Sequence, residues 1–155
     1  SGKQHVLMLH LLQSMVLVSD LGPGQRRRLA ELIQQIISLF GGKRMNERIR
    51  HLLYSLGVTA NYTGFSYTVS AVELTAQDYD RLLMVTKWLY PEVASQFHTT
   101  MSCVERNIRT VAGIAWLRNP ELLERLAGCR LDRKPTASRF IAILAAYLRE
   151  HSVPA

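Results

Sequence analysis

The most specific chemistry in the chain gathers between residues 91 and 117. Ser102, Glu105, Arg106 and Arg109 recur at spacings of three and four, which places them on one face of a helix. The other face of that helix carries Val104, Ile108, Val111, Ala115 and Trp116, at the spacing of a core stripe. Arginine offers a planar fork that matches O6 and N7 of guanine, and each good pair discriminates by roughly 1–3 kcal/mol. Glu105 can accept from the amino group of cytosine or hold a neighbouring arginine in place. Thr100 stands where an N-cap belongs, and with Ser102 and the first free amides it suits a phosphate oxygen. The same residues would also serve as a solvated face with one Glu105–Arg109 pair, worth roughly a few tenths of a kcal/mol.

The elements around this face complete the layout. Pro91 suits the first position of a short helix over residues 91–97, with Val93, Ala94 and Phe97 on its apolar side. His98-Thr99-Thr100 reads as a tight turn, in which His98 can adopt the left-handed conformation. A short helix, a three-residue turn and a long helix with a polar, arginine-bearing first half form a helix-turn-helix. Asn119-Pro120-Glu121 opens a further helix through Leu126, which Gly128 stops. A second basic patch follows, in which Arg125, Arg130, Arg133, Lys134 and Arg139 stand against Asp132. Lys134-Pro135-Thr136 begins a last helix whose Phe140, Ile141, Leu144, Ala145 and Leu148 form a core face. This patch is either a set of phosphate contacts or a basic loop before a capped helix.

The earlier segments are helical as well. Leu29, Leu32, Ile33, Ile36, Ile37 and Phe40 mark one helical face between two glycine breaks, Gly22-Pro23-Gly24 and Gly41-Gly42. Arg26, Arg27 and Arg28 occupy its first turn, where the macrodipole disfavours cations, so they are a solvated face or a phosphate patch. Residues 6–18 are apolar nearly all round and need cover on more than one side. With the second helix they form an αα-hairpin, expected to pair with the hairpin of a second copy through residues 4–40 as a four-helix bundle. The alternative is a helix pair appended to a monomeric core. Asn46 is expected to cap a separate helix reaching about Leu56, with Gly57 as its stop. Residues 57–66 read as a loop and 67–74 as a short helix; Thr75 or Asp78 can start the next, which ends before Pro91 and has Leu82, Leu83, Val85, Thr86 and Leu89 at helical spacing. No segment sustains period-two alternation, so the class is all-α.

Composition narrows the function. In 155 residues, 48% are apolar and only 20% charged, enough for a core and too hydrophobic for disorder. Nineteen Lys and Arg against 12 Asp and Glu leave a net +7, which makes an anionic partner plausible. Residues 6–18 are interrupted by His10, Gln13 and Ser14 and fall short of the ~20 residues a bilayer span needs. No small-x-small cleavage site follows them. Cys103 and Cys129 form no Cys-x-x-Cys pair, and reduced thiols are the default. Asn61-Tyr62-Thr63 matches a glycosylation acceptor by chance, and the Ser1-Gly2 start without Met reads as an expression scar. Enzyme chemistry finds no anchor. The five histidines, His5, His10, His51, His98 and His151, hold no metal-ligand spacing, and Gly41-Gly42-Lys43 lacks the rest of a P-loop. No cofactor or metal is implied.

From about Leu52 to Glu150 the chain resembles the C-terminal DNA-binding effector domain of the sporulation-initiation response regulator family, stage-zero sporulation regulator A. The resemblance rests on Gly57-Val58-Thr59-Ala60, Gly64-Phe65-Ser66-Tyr67 and Val85-Thr86-Lys87-Trp88-Leu89-Tyr90-Pro91-Glu92. It continues through Thr99-Thr100, Val104-Glu105-Arg106-Asn107-Ile108-Arg109, Ala115-Trp116, Lys134-Pro135-Thr136 and Phe140-Ile141-Ala142. It implies a six-helix effector domain over residues 45–155, preceded by the hairpin of residues 1–44. Ser102, Glu105, Arg106 and Arg109 would then read bases. Thr100, Cys103, Lys134, Thr136 and Arg139 would stand near phosphates. It also implies double-stranded DNA as ligand, contact with a sigma factor of RNA polymerase from the region around residues 119–126, and a bacterial cytoplasmic setting.

The sequence departs from the pattern at Cys103, where the family carries a further arginine, and at Asn61 and Thr63, which replace basic residues. Losing one cation should lower the salt slope by about one unit. Residues 1–44 hold only Asp20 and Glu31 as acids, so they cannot supply the acidic cluster of a phosphoacceptor receiver. Two functions follow. The first is a sequence-specific DNA-binding transcriptional regulator that reads a short promoter box through residues 100–117. The second is a protein-interaction or antagonist module of the same fold with weak or lost DNA binding.

Overall fold

The computed structural model describes residues 2–17 and 22–151, and every regular element among them is helical. In chain order these are α1 (Gly2–Leu17), α2 (Pro23–Ser55), α3 (Thr63–Gln77), a 3-10 helix (Tyr79–Met84) and α4 (Val85–Trp88). There follow α5 (Tyr90–Gln96), α6 (Met101–Arg118), α7 (Pro120–Ala127) and α8 (Ala137–Glu150). Ser1, the end of the apolar segment at Val18, and Asp20 lie outside the described residues.

The chain divides into two compact units, Ser1–Lys43 and Arg44–Ala155. In the first, α1 and the leading part of α2 leave large apolar side chains in solvent: Val6, Leu7, Met8, Leu9, Leu32, Ile37 and Leu39. Among the described residues, the fully buried apolar side chains run from Ile49 onward.

The second unit owns that core. It runs from Ile49, Leu53 and Leu56 at the end of α2 to Leu144 and Leu148 of α8. Helix α3 lies at its centre, packed on both α6 and α8, with Phe65, Val69, Ala71 and Val72 inward. Val104, Ile108, Val111, Ala112 and Ala115 of α6 meet it from one side, and Phe140, Ile141 and Leu144 of α8 from the other. The close crossing of α3 and α6 depends on Gly64. A Cβ there would sit 2.2 Å from the Asn107 carbonyl oxygen and 2.7 Å from Val111 Cγ2.

Three expectations need correction. Gly41-Gly42 does not break the chain, because α2 continues through both glycines, and Asn46 caps nothing. Glycine costs a helix about 1 kcal/mol relative to alanine but, unlike proline, neither blocks its geometry nor removes a donor. The loop after α2 is shorter than residues 57–66, since α3 starts at Thr63 rather than Tyr67. The polar and glycine-bearing stretch that read as a loop is the first turn of α3, drawn into the helix by packing on α6. Residues 78–89 form no single helix but a 3-10 segment and the single turn of α4. Asp78 starts that segment by accepting from the Asp80 amide; Leu82, Val85 and Leu89 still pack on the core, whereas Leu83 points into solvent at 74% exposure. Trp116 packs against the core as expected, though only partly buried.

Candidate nucleic-acid interface

Helix α6 emerges from a turn built for a sharp change of direction. Pro91 lies in the first turn of α5, where its missing amide hydrogen would have had no helical partner anyway. At the other end, the Phe97 amide donates to the Val93 carbonyl, and the Thr99 amide to the Ala94 carbonyl at 2.9 Å. His98 takes φ 52, the one non-glycine residue with positive φ among those described. The Phe97 ring stacks obliquely on Tyr67 of α3, with centroids 5.0 Å apart, so the turn is braced from the core side. Thr100 then caps α6, its hydroxyl accepting from the Cys103 amide at 3.1 Å.

Below this turn, α6 separates its faces cleanly. Val104, Ile108, Val111 and Ala115 are fully buried, whereas Ser102, Arg106 and Arg109 are exposed. Glu105 is half-buried and meets Arg109 at 3.4 Å, one turn away. That pair holds Arg109 along the helix and leaves half of its side-chain surface open. Glu105 also faces α5: burial, and next the Glu105 carboxylate, push the Tyr90 phenol up to about 12. Tyr90 therefore stays neutral in the α5–α6 contact.

Cys103 is half-buried at the flank of this face. The Asn107 amide donates to its sulfur at 3.3 Å. Hydrogen bonding from the Thr99 side chain, and secondarily from Tyr67 and the Arg106 guanidinium, holds the thiol below its ordinary value against a smaller opposing effect of burial. The Cys103 thiol, held below its ordinary value, thus lies beside Arg106.

The second basic patch is brought to α6 in part. Thr136 caps α8 by accepting from the Arg139 amide at 3.2 Å, and Pro135 before it is buried. Lys134 is exposed and lies across α6 at Gly113. Arg139 turns elsewhere, its guanidinium donating to Cys129 Sγ at 3.8 Å. Arg125, Arg130 and Arg133 are exposed.

Two residues at the far end of α6 escaped the sequence reading. Arg118 donates to the Gly57 carbonyl at 2.7 Å and to the Tyr62 hydroxyl at 3.3 Å, and the Asn119 side-chain amide donates to the Ser55 carbonyl at 2.9 Å. Together they satisfy carbonyls left open where α2 ends. Asn119 was legible as the cap of α7, which it is, accepting from the Leu122 amide. Its second contact spans 64 residues and has no local signal.

This geometry has a counterpart among known families. The family model described as "Sporulation initiation factor Spo0A C terminal" matches residues 49–148, about two-thirds of the chain. The match covers α3 to α7 whole, the end of α2 and nearly all of α8. Among the described residues, no helix is long and apolar enough to cross a membrane.

Proposed function

The chain belongs to the family of Spo0A C-terminal domains, DNA-binding regulators of transcription, and from that premise we propose that it reads a short promoter box with α6 in the major groove. The observation that carries this reading is the pairing of opposite faces on one helix. Arg106 is exposed and Arg109 keeps half of its side-chain surface open beside Glu105, while Val104, Ile108 and Val111 anchor the other side completely. Arg106 and Arg109 read guanine edges, while Ser102 and Glu105 contact neighbouring bases or steady the guanidinium groups. Thr100 and Lys134 take phosphates, which set register without carrying sequence information. Thr136, Arg139 and Cys103 contribute less to DNA contact. The first two serve α8 and Cys129, and the third supplies a neutral or negative sulfur.

The exposed apolar surface of α1 and the start of α2 supports a homodimer through residues 4–40, as a two-fold arrangement on DNA would require. The region of α7, following the reading helix, is proposed to meet a sigma factor in the bacterial cytoplasm. Cys103, together with Asn61 and Thr63 exposed in and beside the loop after α2, favours a second reading: an antagonist that pairs with a relative and binds DNA weakly.

Selection of bound fragments from genomic DNA, followed by anisotropy titration at two salt concentrations, separates the two. A regulator selects a common box with affinity well above that for random duplex, whereas an antagonist selects none.

A further inference from the structure

Gly113 lies seven residues after Arg106 and four after Arg109, on the same side of α6, about 10 Å along the axis from Arg106. It is half-buried, and a lysine from the segment before α8 lies over it. A Cβ at this position would stand 3.3 Å from Lys134 Cδ and 3.6 Å from Lys134 Nζ. The absence of a side chain therefore leaves a track across the helix, and the aliphatic stem of Lys134 occupies it. Lys134 belongs to neither the Arg81–Glu92 nor the Glu105–Arg109 ion pair. The segment that delivers it is firm: Pro135 is buried and Thr136 caps α8. A long cationic side chain thus runs from a fixed base over a glycine and ends beside the arginine-bearing face.

We propose that Gly113 is a positioning residue for DNA binding: it seats Lys134 across α6 so that the ammonium extends the Arg106–Arg109 stripe toward the phosphate backbone. This inference rests on the reading of α6 as the DNA-contacting helix and adds a requirement that reading does not contain. The site needs an empty position on the helix as much as it needs the cations. A point charge on a flexible stem suits a phosphate rather than a base edge, so Gly113 acts on affinity and not on sequence choice.

The test uses the full chain and a duplex selected from genomic DNA by the unmodified protein, titrated across a series of salt concentrations. Gly113→Gln fills the track with a neutral side chain that favours helix more than glycine does. It should weaken binding severalfold, lower the slope of log affinity against log salt by about 0.9, and leave the order of preference among sequences unchanged. Its thermal midpoint should be equal or higher, which a merely structural role for Gly113 would not produce together with weaker binding. Lys134→Ala should reproduce the loss, and the double variant should lose no more than either single one. Gly113→Ala, which displaces the stem by only a few tenths of an ångström, should move binding the same way by less. An unchanged salt slope in Gly113→Gln, or losses that add in the double variant, overturns the inference, provided Arg106→Ala still lowers discrimination at one base pair. If Arg106→Ala leaves preference intact, the reading of α6 itself falls, and the role of Gly113 falls with it.

Discussion

On the proposed reading of α6, sequence preference depends most directly on Arg106. Its guanidinium is exposed two turns above the Gly113 track and has no carboxylate partner among the described ion pairs, unlike Arg109. Arg106→Ala should therefore remove about 1–3 kcal/mol of discrimination at one base pair while leaving non-specific affinity largely in place. Anisotropy with matched and single-mismatch duplexes measures both quantities, and equal losses on all sequences would remove Arg106 from base readout.

Cys103 offers a second probe of the same surface. Because hydrogen bonds from Thr99, Tyr67 and Arg106 hold its thiol below the ordinary value, iodoacetamide should alkylate it with a rate that rises through a midpoint below pH 9.0. Cys129→Ser isolates the signal. Saturating duplex should slow the reaction, since Cys103 lies on the flank of the reading face, and an unchanged rate would place the duplex elsewhere.

At the scale of elements, two glycines have opposite meanings that only their surroundings reveal. Gly64 admits α6 so closely that an added Cβ would meet a backbone oxygen at 2.2 Å, and backbone cannot step aside as a flexible side chain can. Gly64→Ala should cost about 3 kcal/mol or more in urea unfolding, among the larger losses a point substitution causes. At Gly41, inside α2, a Cβ would meet nothing within 4 Å. Gly41→Ala should strengthen the helix by about 1 kcal/mol, seen as greater helicity of the first unit by circular dichroism. A neutral Gly64→Ala would mean that α3 and α6 do not cross as described.

These elements also show how far a single sequence reaches. The helix-turn-helix was legible almost residue by residue, because its signals are local: Pro91 opening α5, His98 in the turn, Thr100 as cap, and a core stripe at helical spacing. Residues 78–89 misled because apolar spacing records only what a helix could bury, and no partner lies over Leu83. The early turn of α3 was missed for the converse reason. Its polar start becomes helix through packing against α6, which lies over 40 residues further along the chain.

For the whole molecule, the asymmetry between the two units is the main fact. The buried core begins at Ile49, while the first unit leaves Val6, Leu9, Leu32 and Leu39 in solvent. Exposed apolar surface on this scale supports the proposed pairing of two copies through it. Sedimentation at micromolar concentration should give a dimer. Leu9→Arg combined with Leu32→Arg should give a monomer whose second unit keeps its thermal unfolding transition. A monomeric unmodified chain would dismiss residues 4–40 as the pairing surface.

The amino-acid order alone determined the all-α class, the helix α6 and its cap, and which cations lie on its outward face, because those depend on periodicity, charge and capping within a few neighbours. Only the tertiary structure decided that α2 runs unbroken, that Gly64 is a crossing point, that Arg118 and Asn119 close the end of α2, and that Lys134 lies on Gly113. Each of these joins atoms whose residues are far apart along the chain, or sets a weak local preference against the burial of a core. Such balances are settled by the space that remains once the helices have packed.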